Sequence, residues 1–167
     1  MKEEEKKISG EFEIVAEDGF SSKSLSDVLE IEKKCFPESW QYDTAEEYYQ
    51  EMLKRKENIN IFARKKGIVA GYLLGKLHNE TVSEIEEYDE LFKTKTDKFY
   101  YLETIGVVSD FRGKGLADKM IEKFIQEAKK RGTVGISIHA RTTNKLSEKI
   151  KNTFSGSILR VRKIKSW

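Results

Sequence analysis

A glycine-rich turn between an apolar segment and an amphipathic segment restricts the fold more than any other feature of this chain. The segment Phe99–Val108 is apolar enough to predict a strand that is buried on both faces and therefore central in a sheet. The turn Ser109–Gly115 follows it directly. From Leu116 to Ala128 the apolar residues recur at helical spacing, and Arg131-Gly132 ends that pattern. A strand, a tight turn and a long helix in this order predict half of a crossover unit.

The rest of the chain predicts a mixed sheet with helices on both faces. Strand patterns cover 12–16, 134–140 and 156–165, and a hairpin is predicted over 58–76 about a turn at Lys65-Lys66-Gly67. Apolar stripes at helical spacing cover 25–36, 44–55 and 143–154. The predicted order is β, α, α, β, β, β, α, β, α, β. We expect one α/β domain over residues 1–167, with a mainly antiparallel sheet of about six strands.

Two charged segments lie outside these elements. Residues 1–8 are mostly charged, and we expect them to be frayed. The polar insert 79–98 is long enough for a short helix or a loop, and carboxylates are concentrated between Glu84 and Glu90. Such carboxylates would raise the local concentration of a cationic amine, although a solvated face without a function is the alternative.

Composition excludes several classes of protein. With 31 basic and 29 acidic residues, the net charge of +2 argues against a domain that coats itself with nucleic acid. Cys35, His78 and His139 are the only cysteine and histidines, so neither a disulfide framework nor a structural zinc site is expected. The longest apolar runs are far shorter than the roughly 20 residues of a membrane span. We expect a cytoplasmic protein without a membrane segment.

The glycine turn is a candidate phosphate site. Glycines at 113 and 115 leave backbone N–H groups uncovered at the N-terminus of a helix, and Arg112 and Lys114 add positive charge. The turn is not a P-loop, since it has no lysine followed by serine or threonine, and Asp118 replaces the third small residue of a dinucleotide fingerprint. The alternative is that the glycines only allow a tight connection.

The same residues carry a resemblance to a known family. Val107, Arg112, Gly115 and Ala117 have the spacing of the acyl-CoA-binding motif of the GNAT N-acetyltransferases, which is Arg or Gln, two residues, Gly, one residue, then Gly or Ala. Asn144 stands where that family often has an asparagine after the fifth strand, and the order of elements is similar. The first predicted helix resembles the ribosomal-protein N-terminal acetyltransferase branch at Glu32, Cys35, Phe36, Pro37 and Trp40.

The resemblance implies an acetyl-CoA-dependent N-acetyltransferase that transfers acetyl directly to a primary amine, without a metal. The amine would belong to a protein N-terminus or to a small cationic molecule. Backbone groups of Ile105 and Val107 would pair with the pantetheine arm, and the thioester would lie where the fourth and fifth strands diverge. The pyrophosphate would bind the backbone amides of Arg112, Gly113, Lys114, Gly115, Leu116 and Ala117, with Asn144 nearby.

Two residues are candidates for the general base. Glu103 shares the alternation of Ile105 and Val107, and its neighbours are mostly apolar, so we expect it to be protonated unusually readily or to have a specific partner. His139 stands where the ribosomal-protein branch has a catalytic glutamate, and an imidazole titrates near neutrality. The alternatives are an ion-paired structural glutamate and a histidine that is hydrogen-bonded on a strand face.

The chain departs from the family at its end. Lys151 occupies the position of the tyrosine that protonates the thiolate in many relatives, and eleven residues after Gly156 leave room for one strand instead of two. An open sheet edge would favour a homodimer. The alternative function is a non-catalytic acyl-CoA-binding regulatory domain. A basic nucleic-acid-binding edge at 160–165 is a weaker alternative, and Cys35 is expected to be a buried small hydrophobe.

Overall fold

In the part of the chain that the structure describes, five strands form one sheet in the order in which they occur along the chain. The computed structural model describes residues 12–41, 43–85, 98–141 and 145–157. The strands are β1 (Glu13–Glu17), β2 (Ile59–Lys65), β3 (Ile68–Leu77), β4 (Phe99–Val107) and β5 (Gly135–Ile138). The first three neighbouring pairs are antiparallel, whereas β4 and β5 are parallel. This confirms the predicted mixed fold.

Within the described ranges, five α-helices accompany the strands: α1 (Ser22–Cys35), α2 (Ala45–Lys54), α3 (His78–Ile85), α4 (Leu116–Lys130) and α5 (Lys145–Thr153). Helix α3 occupies the start of the polar insert and matches its short-helix alternative, while 86–97 lie outside the described residues. The segment 1–8, predicted to be frayed, and most of the strand predicted for 156–165 also lie outside them. Ser155–Ser157 form a 3-10 turn. No helix among the described residues is long and apolar enough to cross a bilayer.

The sheet separates two apolar cores. Helix α4 covers one face, where Met120 and Phe124 pack on strand residues such as Leu73 and Leu102. Helices α1 and α2 cover the other face, where they pack on the strand residues Phe62, Tyr72 and Leu74. The strand predicted for 134–140 is shorter in the structure, where β5 begins at Gly135 and ends at Ile138, and Val134 just before it is 61% exposed. The central position of β4 between β3 and β5 agrees with its apolar sequence.

A β-bulge in β4 determines which side chains face the α1 and α2 core. Leu74 pairs with Thr104 and Gly75 pairs with Leu102, so Glu103 is the extra residue on β4. Leu102 and Ile105 therefore both pack against the α4 core, although they are three residues apart. The expectation that Glu103 shares the face of Ile105 and Val107 is wrong, because the extra residue at the bulge shifts the alternation of side chains by one position.

An ion-pair network attaches α1 to the sheet. The Arg64 guanidinium on β2 contacts the Asp27 carboxylate of α1 at 3.0 Å and also pairs with Glu17 of β1. Ser24, one turn before Asp27, donates a hydrogen bond to the same Glu17 carboxylate. Since Arg64 and Asp27 are both largely buried, losing one partner would leave a buried charge uncompensated. This network holds the helix whose C-terminus lies beside the end of β4.

Candidate active site at the divergence of β4 and β5

The parallel pairing of β4 and β5 ends before β4 does. Leu102 and Ile138 are the last paired residues, whereas β4 continues to Val107. The N–H of Val108 donates to the carbonyl of Ala70 on β3 at 2.9 Å. Because backbone groups of alternate residues point to opposite edges of a strand, those of Ile105 and Val107 point away from β3, into the gap beside β4. This is the orientation that the predicted pantetheine contacts require.

The glycine turn leaves backbone amides uncovered at the N-terminus of α4. Gly113 and Gly115 have φ angles of 74° and 72°, which residues with a side chain rarely adopt, and a Cβ at either position would meet open space. The first helical hydrogen bond runs from the N–H of Lys119 to the carbonyl of Gly115. The amides of the three preceding residues, among them buried Leu116 and half-buried Ala117, therefore have no acceptor within the helix.

Arg112 makes two local hydrogen bonds that the motif does not predict. Its N–H donates to the carbonyl of Ser109, so the predicted row of pyrophosphate-binding amides begins one residue later, at Gly113. Its Nε donates to the carbonyl of Val107 at 2.9 Å, and the half-buried Cys35 thiol donates to the same oxygen at 3.3 Å. Burial raises the pKa of the Cys35 thiol. The exposed Lys114 ammonium lies over the Phe111 ring, 5.6 Å from its centroid.

Glu103 is held on both of its carboxylate oxygens. The Tyr48 hydroxyl of α2 donates to Oε1, and the Lys76 ammonium of β3 lies 3.4 Å from Oε2. The side chains of Lys76 and Glu103 are only 5% and 9% exposed. Lys76 also pairs with Glu84 of α3 at 3.1 Å, and Glu84 is 54% exposed. The expected specific partner of Glu103 is therefore present, and an ion-paired chain leads from it to the surface.

His139 follows the last residue of β5 and lies beside Tyr101. The Tyr101 hydroxyl is 3.3 Å from His139 Nδ1, and the two rings are tilted with their centroids 5.7 Å apart. Glu103 and His139 are the next residues after the final β4–β5 pair, with Glu103 on β4 and His139 just beyond the end of β5. The structure thus brings both predicted base candidates to the beginning of the gap. Asn144 lies outside the described residues, and Lys151 is exposed on α5.

Lys76 is the site residue that sequence reasoning missed. Its position within the apolar strand Ile68–Leu77, in alternation with Tyr72 and Leu74, was the available signal, since a lysine facing a core requires an anionic partner. Tyr48 is likewise not among the predicted site residues. Its contact with Glu103 joins residues 55 positions apart, which no local pattern contains.

Solved structures with similar folds include two kinds of acetyltransferase. The aminoglycoside acetyltransferase AAC(6')-Iy, in complex with a bisubstrate analogue, is 16% identical with a TM-score of 0.71, covering 95% of this chain and 97% of that one. AAC(6')-Ih from Acinetobacter baumannii is 16% identical with a TM-score of 0.68, covering 94% and 97%. A ribosomal-protein-alanine N-acetyltransferase from Brucella melitensis is 14% identical with a TM-score of 0.62, covering 94% and 99%.

Sequence comparison identifies the family. The search of curated proteins found no match. The profile described as the acetyltransferase (GNAT) family matches residues 25–149, which span α1, α2, the strands β2–β5, the glycine turn, α4 and the beginning of α5. The matched region is well over half of the chain and contains the gap beside β4. The protein therefore belongs to the GNAT acetyltransferase family, which confirms both the predicted resemblance and the predicted acyltransferase class.

Proposed function

We propose that this protein is an acetyl-CoA-dependent N-acetyltransferase that transfers acetyl directly to a primary amine. The observation that carries the proposal is the gap between β4 and β5, which begins at Glu103 and His139 and leads along β4 to the glycine turn. A gap of this kind can hold an extended chain that pairs with a strand edge, and the turn at its far end suits an anion. Coenzyme A combines these two chemical features.

The proposed position of the cosubstrate follows the backbone groups that are available. The pantetheine amides pair with Ile105 and Val107, and the pyrophosphate binds the amides from Gly113 to Ala117. Arg112 and Lys114 add charge, as both side chains are exposed beside the turn. The carbonyl of Val107 has two lone pairs and already accepts from Arg112 and Cys35. A pantetheine N–H that bonds to Val107 therefore displaces one of these donors.

Glu103 is the leading candidate for the residue that accepts a proton from the acceptor ammonium, with His139 as the second. An acceptor amine must be neutral before it attacks a thioester, and a carboxylate at the beginning of the gap can both hold the ammonium and take its proton. Lys76 and Tyr48 fix the orientation of Glu103, so it meets the acceptor in one defined position. His139 borders the opposite side of the same opening.

The charge around the opening favours a cationic acceptor. Glu103 and Glu84 flank Lys76, and the exposed Glu84 carboxylate extends this acidic character to the surface. Among the structural neighbours, one is in complex with a monomethyl-acetylneamine conjugate and another is named for acetylating ribosomal-protein alanine. We therefore propose a small polycationic amine or a protein N-terminus as the acceptor class, and an amine panel should contain both.

Replacement of the two base candidates tests the proposal. We expect Glu103→Gln to lower kcat by about 100-fold, within the range for a lost general base, while the Kd for acetyl-CoA stays within about twofold. His139→Ala is expected to act in the same direction if His139 takes part. Glu13→Gln is the matched control, because Glu13 is exposed on β1 at the other edge of the sheet.

Product formation is measured by mass spectrometry of the acetylated amine together with release of the coenzyme A thiol. Full turnover in both Glu103→Gln and His139→Ala would show that neither residue is the base. Acetyl-CoA binding by the wild-type protein without turnover of any amine would contradict the proposed activity and support a non-catalytic acyl-CoA-binding domain instead.

A further inference from the structure

A second carboxyl group is buried in the core between α1 and the sheet, and hydrogen bonds link it to β4 through Tyr72. Glu32 of α1 is 5% exposed and faces the sheet. The Tyr72 hydroxyl of β3 donates a hydrogen bond to its Oε1. The Tyr49 hydroxyl of α2 also hydrogen-bonds to it. Glu32 therefore has hydroxyl partners, and no cation is among the contacts that the structure gives it, in contrast to Glu103 with its lysine.

The hydrogen-bonded chain continues from Glu32 to β4. The Tyr72 hydroxyl oxygen is 3.1 Å from Oγ1 of Thr104. Since Tyr72 donates its own proton to Glu32, Thr104 is the donor in this second bond. Thr104 is the half-buried residue that follows Glu103 at the bulge, and it lies in the part of β4 beyond the last pair with β5. One end of the chain is thus at the gap and the other end is in the core.

Packing alone does not account for a carboxyl group at this position. Residues that surround Glu32 on this face include Ile31, Tyr49 and Tyr72, which are almost fully buried, and an apolar side chain at position 32 would avoid the cost of desolvating a charge. Burial raises the pKa of Glu32 despite the two tyrosine hydrogen bonds, which lower it. Two carboxyl groups in unlike surroundings, one at the opening and one joined to it by hydrogen bonds, are typical of a division of proton-transfer roles.

We propose that Thr104, Tyr72 and Glu32 form a relay that carries one of the two protons lost by the acceptor nitrogen into the core. This inference rests on the proposed function. An ammonium has three protons on nitrogen and the amide product has one, so two protons must leave in each turnover. In the proposed function, Glu103 or His139 takes the first of them, which produces the neutral amine.

The relay takes the second proton after the amine has attacked. The C–N bond forms, and the C–S bond then breaks with its electron pair remaining on sulfur. The nitrogen proton moves to Thr104 Oγ1, the Thr104 hydroxyl proton moves to Tyr72, and the Tyr72 proton moves to the Glu32 carboxylate. The thiolate takes the proton held by the first base. Once the products have left, Glu32 returns its proton to solvent through Tyr72 and Thr104, so each turnover yields an amide, a thiol and one free proton.

The titratable groups around Glu32 determine whether a change in the pH profile of kcat can be assigned to Glu32. Tyr49 faces it from α2, Tyr72 from β3, and Cys35 lies on the following turn of α1. Burial raises the pKa of Tyr72 and of the Cys35 thiol, so neither group is charged in the ordinary working range of pH. In the pH profile of kcat, the rising limb that reflects deprotonation of Glu32 is therefore expected to be lost in Glu32→Gln.

The test compares hydroxyl removal with hydroxyl retention at position 104. With a wild-type acceptor identified, Thr104→Val is expected to lower kcat by about 10- to 100-fold and Thr104→Ser to stay within about threefold of wild type. Tyr72→Phe and Glu32→Gln should match Thr104→Val, and the double variant Tyr72→Phe/Glu32→Gln should be no slower than either single one, because one chain is interrupted. Thr81→Val is the matched control, since the Thr81 hydroxyl is also buried but donates to the His78 carbonyl and is not part of the relay.

Each outcome decides between a relay and a structural contact. Loss of kcat in Thr104→Val with rescue by Thr104→Ser, together with loss of the Glu32 limb in Glu32→Gln, supports the relay. Equal impairment of both Thr104 variants, an unchanged pH profile in Glu32→Gln, or full kcat in Thr104→Val would overturn it while leaving the acetyltransferase function intact. If Thr104→Val does not fold, the profile of Glu32→Gln decides. A wild-type protein that acetylates no amine overturns the proposed function and the relay together.

Discussion

At the scale of single residues, position 115 requires glycine because of backbone conformation and not because of space. Gly115 has a φ of 72° and a Cβ there would have no heavy atom within 4 Å. A side chain in this conformation costs about 1–2 kcal/mol. The same residue is the N-cap of α4, so its conformation also sets the direction of the uncovered amides. Backbone shape at one residue thereby links folding stability to anion binding.

We expect Gly115→Ala to lower the free energy of unfolding by about 1 kcal/mol and to weaken coenzyme A binding at least severalfold. Urea denaturation and isothermal titration calorimetry measure the two effects. Gly156→Ala is the control, because Gly156 also has open space around its Cα and its φ is not positive. Equal stability losses in both variants would show that the conformation of Gly115 is not the cause.

Glu32 makes folding stability depend on pH in a direction opposite to that of an ion-paired carboxylate. Burial raises its pKa above the ordinary value of 4.5, so folding favours the protonated form. Its contribution to stability is therefore fully present below the pKa of the unfolded chain and is lost as the pH rises through the folded pKa. The difference in unfolding free energy between wild type and Glu32→Gln should fall as the pH rises above about 4.5. A constant difference from pH 4 to 8 would contradict this.

At the scale of elements, the distance between α4 and the sheet depends on a missing side chain. A Cβ at Gly75 of β3 would lie 2.2 Å from Cε2 of Phe124 on α4. No rotation of the alanine methyl group relieves such a contact, so either the ring or the helix must move. Gly71 fulfils a similar role one turn of α4 earlier, where its Cβ would come within 3.0 Å of Met120.

We expect Gly75→Ala to lower the free energy of unfolding by about 1–3 kcal/mol, which is typical of an overpacked core. The double variant Gly75→Ala/Phe124→Leu should lose less stability than the sum of its single variants, because the smaller side chain leaves room for the methyl group. Chemical denaturation of the four proteins measures this coupling. Additive losses would show that the two positions do not compete for the same space.

Most elements of this fold follow from local patterns, because periodicity depends on neighbours close in sequence. The hairpin turn at Lys66-Gly67 has positive φ at both residues, as its glycine predicts, and the stripe from Leu116 to Ala128 forms α4. The bulge at Glu103 could not be predicted in this way, since an extra residue leaves no mark on the composition of β4. The contacts of Glu103 with Tyr48 and Lys76 depend on that bulge, so the sequence indicated that Glu103 would have a specific partner but not which residues would contact it.

At the scale of the whole molecule, β4 has no partner strand on its β5 side beyond Leu102, and a ligand that pairs with this edge would stabilise the fold. We expect coenzyme A at about 100 times its Kd to raise the free energy of unfolding by about 2.7 kcal/mol, as linkage requires for a ligand of the folded state. Thermal or urea unfolding with increasing coenzyme A measures this stabilisation. AMP, which lacks the pantetheine arm, should stabilise less at the same concentration. A melting temperature that is independent of coenzyme A would contradict the proposed cosubstrate.

The unpaired stretch of β4 also has a consequence for the lifetime of the protein in a cell. A chain whose stability includes the binding energy of acetyl-CoA spends more time unfolded when that metabolite is scarce, and proteases degrade mainly the unfolded form. Its abundance would then follow the acetyl-CoA pool without any dedicated regulator.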